Sequence, residues 1–227
     1  MTLCMLVSVA LLIGLGVWQI QRLHWKEALI EARTDRLGAA AVALPAAFEE
    51  PAALEFTRVT LTGQFRHDRE LYLGARTRNG KVGVHVVTPL MLDDGRGLLV
   101  DRGWVPLARQ DPATRPEGQV AGPVTLDAML RSSGWKGWGI TRPENDPARN
   151  LWLWTDVPAM AAAAELANPI TAVYAQAVDT APPGGMPMAV EATVHIRNDH
   201  LQYALTWFAL AVALLVIYLI YSYRRET

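Results

Sequence analysis

Five histidines are the side chains best suited to hold a metal or move a proton. Their spacing offers no zinc site: HxH, HxxxH and HExxH are all absent. The single cysteine, Cys4, excludes an internal disulfide framework and any Cys-paired zinc, iron–sulfur or copper site within one chain. His24 and His67 stand among charged or turn residues and read as solvated surface groups. His85 lies within Val84–Val87 and reads as a pleat-facing strand residue, and His195 ends an apparent strand. His200 differs, because an uncharged run, Leu201–Tyr223, follows it directly. On a helix beginning near Asn198, His200, Tyr203, Ala204 and Trp207 share one face. That face sets an imidazole beside two aromatic rings and one small residue. It suits a flat metalloporphyrin, with the imidazole on iron, Ala204 leaving room and the rings at the edge. It equally suits an interfacial histidine bonded to headgroups or loop backbone, and periodicity alone leaves both readings open.

Other chemistries find less support. The four serines, Ser8, Ser132, Ser133 and Ser222, form no Gly-x-Ser-x-Gly elbow. A thiolate at Cys4 would stand inside an apolar run, where charge is costly. Glu49/Glu50 and Asp93/Asp94 are adjacent pairs, which point apart on a strand and read as solvated turn charges. The glycines make neither GxGxxG nor a P-loop, so no nucleotide is implied. Met186 and Met188 are too few for a copper thioether site. Trp135 and Trp138 stand in a Gly-rich polar loop, where they would either meet a partner or pack over a sheet edge. No catalytic constellation assembles, and an enzyme is not expected.

The elements that would carry these residues follow from composition. Hydrophobic residues make up 51% and charged residues 19%, too apolar for a disordered chain. The formal charge of −1 leaves no basic excess for nucleic acid. Two uncharged runs hold the surplus of apolar residues. Residues 3–20 are long enough to cross a bilayer, at about 1.5 Å per residue. No basic residue precedes Leu3 and Trp18-Gln-Ile-Gln-Arg22 follows the run, so an uncleaved anchor is expected rather than a signal peptide. Residues 200–223 form the second span. Tyr203, Trp207 and Phe208 mark one end, and Tyr218, Tyr221 and Tyr223 the other. Arg224 and Arg225 place the tail, 224–227, and with two spans both termini, in the cytoplasm. Arg22 and Lys26 argue weakly the other way.

Between the spans, residues 21–38 read as a helical extension and 39–197 as an extracytoplasmic β-rich domain. Val59 and Leu61 alternate with Thr60 and Thr62, and Glu70–Gly74 follows a polar turn. Asn79-Gly80 predicts a type I′ hairpin, and Asp94-Gly95 a second hairpin. Further strands are expected at Val124–Leu130, Leu151–Trp154, Thr171–Val178 and Ala192–Ile196. One helix is expected after an Asp156 cap, ending at Asn168-Pro169. The fold class is thus a membrane protein, two transmembrane α-helices flanking a mainly antiparallel β (α+β) extracytoplasmic domain, with a sheet or partly open barrel at its centre.

The run Leu15-Gly-Val-Trp-Gln-Ile-Gln-Arg-Leu-His-Trp-Lys26 resembles the LGxWQxxRxxxK signature of the surfeit-locus-one family, assembly factors of cytochrome c oxidase. Thr88-Pro-Leu90, Leu98–Pro106, Asn145-Asp-Pro147, Trp152–Asp156 and Asn198–Phe208 resemble further family blocks in the same order. The family's usual Asn before Arg-Gly-Trp is Asp101 here, which puts an amide-specific role at that position in doubt. The resemblance implies an inner-membrane protein that assists insertion of heme a into the large catalytic subunit of heme–copper oxidase. It implies heme a as a transient cofactor held by the histidine matching His200, with iron as its metal. Tyr203, Trp207, Trp18 and Arg22 are the other candidate heme contacts: Arg22 for a propionate, Trp18 flanking the macrocycle. The alternative for that pair is an interfacial anchor and a snorkelling arginine. Expected partners are the large oxidase subunit or the heme a synthase, and the lipid bilayer. A cofactor-free membrane scaffold that stabilises an oxidase assembly intermediate is the competing function.

Overall fold

The computed structural model describes residues 2–135, 137, 142–179, 182–191 and 198–226. Two compact units divide the chain, one containing 2–35 and 198–226, the other 36–191.

The first unit is a helix pair. Helix α1 runs Thr2–Gly38, and its partner, labelled α3, runs His200–Glu226. Both are long and apolar enough to cross a membrane. Neither contains a proline. Along α1 the less exposed positions include Met5, Val9, Leu12, Gly16, Gln19 and Leu23. Along α3 they include His200, Ala204, Trp207, Ala211, Leu214 and Tyr218. Steps alternating between three and four residues make a straight seam on each helix, as in left-handed helix pairs. The helices run antiparallel. Thr2 Oγ1 meets the Tyr218 hydroxyl at 2.7 Å, Gly16 faces Phe208, and Gln19 meets His200. A Cβ on Gly16 would lie 2.5 Å from Phe208 Cε1, so glycine is what lets the ring approach.

The second unit is built on strands β1 (Val42–Ala43), β2 (Arg58–Phe65), β3 (Leu71–Arg78), β4 (Lys81–Leu92), β5 (Gly97–Pro106), β6 (Pro123–Ser132), β7 (Leu151–Trp152) and β8 (Val173–Ala177). The order is β1-β2-β6-β8-β5-β4-β3-β7, and β2 also pairs with β4. That extra pairing closes β2, β6, β8, β5 and β4 into a five-stranded ring, settling as closed what the sequence left as a sheet or partly open barrel. Its interior is apolar and holds Val59, Leu61, Leu90, Leu98, Val100, Ala128, Leu130 and Ala175. Pairing is mostly antiparallel; β1–β2, β3–β7 and β5–β8 are parallel.

The Asn79-Gly80 hairpin joins β3 to β4 as expected. Both residues have positive φ, 49° and 74°, the type I′ requirement. The second hairpin joins β4 to β5 through Asp93–Arg96, where Asp94 accepts from the Arg96 backbone and guanidinium. Helix α2, Val157–Ala163, is capped by Asp156 Oδ1 accepting from Ala159 N–H at 3.3 Å. It packs Val157, Met160 and Ala161 onto the outer face of the ring with Leu71, Leu73, Val87, Leu99 and Trp152.

This helix stops well before the expected end at Asn168-Pro169. Glu165 turns left-handed at φ 49°, its N–H bonds Ala162 O, and Leu166 N–H bonds Ala161 O. That double reversal is a Schellman stop. Helix propensity favoured continuing through Leu166. It loses to the packing of Leu166 against Gly97 and to the pairing of the Glu165 carboxylate with Arg69 at 2.6 Å. The strand expected at Ala192–Ile196 lies outside the described residues.

Candidate functional site

Polar groups converge in the helix pair at one place. His200 opens α3, and its Nδ1 lies 2.6 Å from Oε1 of Gln19. An amide oxygen only accepts, so Nδ1 carries the proton and donates. The neutral ring then keeps its lone pair on Nε2, for which the described residues supply no partner. A histidine that binds a metal through one nitrogen commonly donates the other N–H to a fixed acceptor, which orients the ring. Gln19 is nine-tenths buried in the α1 seam and so holds that acceptor steady.

The other expected contacts divide between seam and flank. Trp207 sits on the seam, and its indole N–H is buried without an acceptor among the described residues. Tyr203 does not share that side. It is 54% exposed, on the flank, since three residues of helical turn carry it off the His200–Ala204–Trp207 row. Ala204 is fully buried in line with Ala211, so its small side chain serves close helix approach rather than opening a space. Trp18 is exposed next to Gln19. Arg22 stacks on Trp25 with 4.0 Å from Cζ to the ring centroid, and has no hydrogen bond among the described residues. The five candidates therefore do not form a closed pocket. His200 and Trp207 lie on the seam, while Tyr203, Trp18 and Arg22 face outward beside it.

Sequence reasoning missed Gln19 as a partner of His200. A signal existed: Gln19 follows Trp18 in the same block and lies on the Met5–Val9–Leu12–Gly16 row, where a polar residue needs a partner.

The β domain holds two further polar clusters, the first around a histidine that the sequence left as surface and the second around one read as a strand residue. His67 is not solvated. Its Nε2–H donates to Val120 O at 3.0 Å, and its Nδ1 accepts from Arg102 at 3.3 Å. Glu70, also buried, accepts from Arg102, Arg115 and Gln119. Burial pushes the Glu70 carboxyl up, but the Arg115 and Arg102 guanidinium groups outweigh it and hold it at about 2. Burial likewise lowers Arg102 to about 10, against the opposing pull of Glu70. Second, His85 pairs with buried Asp101 at 2.8 Å.

Met186 packs against Val84, Val86 and Val105, and Met188 pairs its backbone with Trp104. Trp135 borders a cavity of about 380 Å3 with Trp154 and Tyr174. Trp138 and His195 lie outside the described residues. Among the described residues, no group of three His, Cys, Asp or Glu side chains is placed to hold a metal ion.

Residues 6–212 match the SURF1 family. The chain belongs to that family. A SURF1-like protein from Monosiga brevicollis is 35% identical over 216 residues, covering 90% of this chain and 81% of that protein. Surfeit locus protein 1 of mouse and of human are each 39% identical, covering 88% of this chain and 68% and 70% of theirs. SURF1 proteins are cytochrome c oxidase assembly factors and are generally non-enzymatic. The match runs through both long helices and the β domain, and takes in Gln19 and His200 alike.

Proposed function

We propose that this SURF1 protein binds heme a through His200 and assists its insertion into the large catalytic subunit of cytochrome c oxidase. The Gln19–His200 hydrogen bond carries the reading, because it fixes the imidazole with Nε2 as the free lone pair. Heme a, when bound, would supply the iron that this nitrogen could ligate. The residues fit this role in a particular way. Gly16 and Phe208 are in direct contact, so the helices leave no slot between them at that level. The exposed rings of Tyr203 and Trp18 instead offer an apolar flank, and the Arg22 guanidinium is open to a propionate. Single-sided holding suits a carrier that must release its cargo. The Trp207 N–H, buried on the seam, has no acceptor among the described residues.

The setting follows from the same chain. Two helices cross the inner (plasma) membrane, Arg224 and Arg225 hold both termini in the cytoplasm, and the β domain faces the periplasm. The large oxidase subunit or the heme a synthase is the partner, with no role for nucleic acid. The same tight Gly16–Phe208 contact favours the second reading, a cofactor-free scaffold in which His200 and Gln19 only lock the helix pair.

The full chain, purified from membranes that make heme a, separates the two by its reduced visible spectrum. The parent is expected to carry heme a and His200→Ala to lose it. Gln19→Leu, which keeps the ligand but frees the ring, is expected to retain heme about ten-fold or more less tightly. A parent without heme, from membranes where another heme protein keeps its cofactor, would overturn the carrier reading. Capture of the large oxidase subunit by both parent and His200→Ala would then establish the scaffold.

A further inference from the structure

A bulge in the β4–β5 ladder builds a second polar site, in the β domain. Val86 pairs with Gly103 but Val87 with Asp101, so Arg102 is extra on β5. Asp101 and Trp104, three apart, then face the same side as His85 and Val87. Gly103 permits this with φ 119°. On β8, Gln176 pairs with Asp101 and presents the same face.

Asp101 is 1% exposed and accepts from His85 Nδ1 at 2.8 Å, Gln176 Nε2 at 2.9 Å and Gly103 N at 3.0 Å. Three donors satisfy the buried carboxylate. With Nδ1 donating, the acceptor left to the uncharged His85 ring is Nε2, which has no partner among the described residues. His85 lines a cavity of about 550 Å3, with Arg78, Arg131, Trp104, Phe56 and Met129 around it and the exposed Glu191 carboxylate at its rim. Arg131 spends Nε on Glu55 and Nη1 on Gln176, leaving Nη2 unpaired among the described residues. Arg78 donates Nη1 to Ala189 O, and its Nη2 stands 3.8 Å from Glu191, beyond hydrogen-bond distance.

Two guanidinium groups with unspent donors and one oriented acceptor thus face a space of small-ligand size, walled by aromatic rings. We propose that this cavity binds a carboxylate whose neighbouring carbon bears an N–H donor. Arg78 and Arg131 take the carboxylate, His85 Nε2 accepts from the N–H, and Trp104 and Phe56 flank the carbon skeleton. A free N-acylamino acid and a peptide C-terminus share that chemistry. The site lies within the β domain and stands whether or not His200 binds heme.

Calorimetric titration of the full chain in detergent tests it with N-acetyl-L-phenylalanine, its carboxamide, and a tetrapeptide ending in phenylalanine. The acid is expected to bind and the carboxamide to bind about ten-fold or more weaker. Arg78→Gln, at a half-exposed position away from the ring interior, is expected to weaken the acid by a similar factor. His85→Asn, which can still donate to Asp101, is expected to weaken it too, with the thermal transition preserved. In the parent, the His85 Nε2 resonance is expected to shift on titration. Tighter binding of the tetrapeptide than of the acid identifies a chain end as the source, and equal binding a free acid. Equal binding of acid and carboxamide overturns the proposal, as does undiminished binding by both variants or no binding of either acid at millimolar concentration.

Discussion

Glu70 is enclosed by Arg102, Arg115 and Gln119, which reach it from other parts of the domain, and by His67 three residues before it. Removing its charge would leave two buried guanidinium groups facing a neutral oxygen. Glu70→Gln is therefore expected to cost about 3 kcal/mol or more in unfolding of the full chain in detergent. The same residue sets a pH dependence. Its carboxyl titrates at about 2 in the fold against 4.5 in its ordinary state. The stabilisation, about 3 kcal/mol, is complete above pH 4.5 and is lost as pH falls towards 2. The parent should lose stability through that window, and Glu70→Gln should lose markedly less; matching acid profiles would refute the assignment. None of this cluster was legible in the sequence. His67 and Glu70 share one turn, but Arg102 and Arg115 come from distant parts of the chain, and no local pattern marks a charge as buried. His200 was legible because an uncharged run follows it directly and carries no other histidine. Gln19 was not, because its partner is far along the chain.

At the scale of elements, turns and strands were the most readable features. Asn79-Gly80 has one favoured turn geometry, and the Val59/Leu61 alternation has one buried face. Ring closure was not readable, since the β2–β4 pairing of Gly63, Gln64 and Phe65 is non-local. The α2 stop was misread because an alanine run gives no signal against continuing, whereas the ion pair of Glu165 with Arg69 is tertiary. Among the blocks that carried the family resemblance, Trp152 is fully buried core, Asn145 Oδ1 accepts from Leu153 N–H, and Asp156 caps α2. Those positions keep the domain folded. The helix pair makes its own prediction. Gly16→Leu would drive a side chain into Phe208 and cost about 1–3 kcal/mol in a denaturing detergent titration. Phe208→Ala in the same chain should restore part of the loss. Additive losses in the double variant would show that the two positions do not share a contact.

For the whole molecule, the two units face different solvents. The helix pair leaves Leu6, Val7, Leu11, Val212, Ile217 and Leu219 exposed, as lipid requires, while the ring buries its apolar residues inside. The membrane orientation can be read directly. In a Cys4→Ser background, Lys81→Cys on the β3–β4 turn should react with an impermeant maleimide in intact spheroplasts. A fluorescent protein fused after Thr227, of a kind that folds only in the cytoplasm, should light up. A protected Lys81→Cys with a dark fusion would invert the topology.

The five-stranded ring is unevenly fastened. β4 and β5 pair along most of their length, but β5 and β8 share only Val100–Ala175 and Asp101–Gln176. At that narrow place the Gln176 side chain donates to the Asp101 carboxylate, adding a bond the backbones do not make. The ring behaves as a hoop with a clasp, and the clasp also forms the floor beneath His85. Whatever tugs on that imidazole tugs on the joint where the hoop is thinnest.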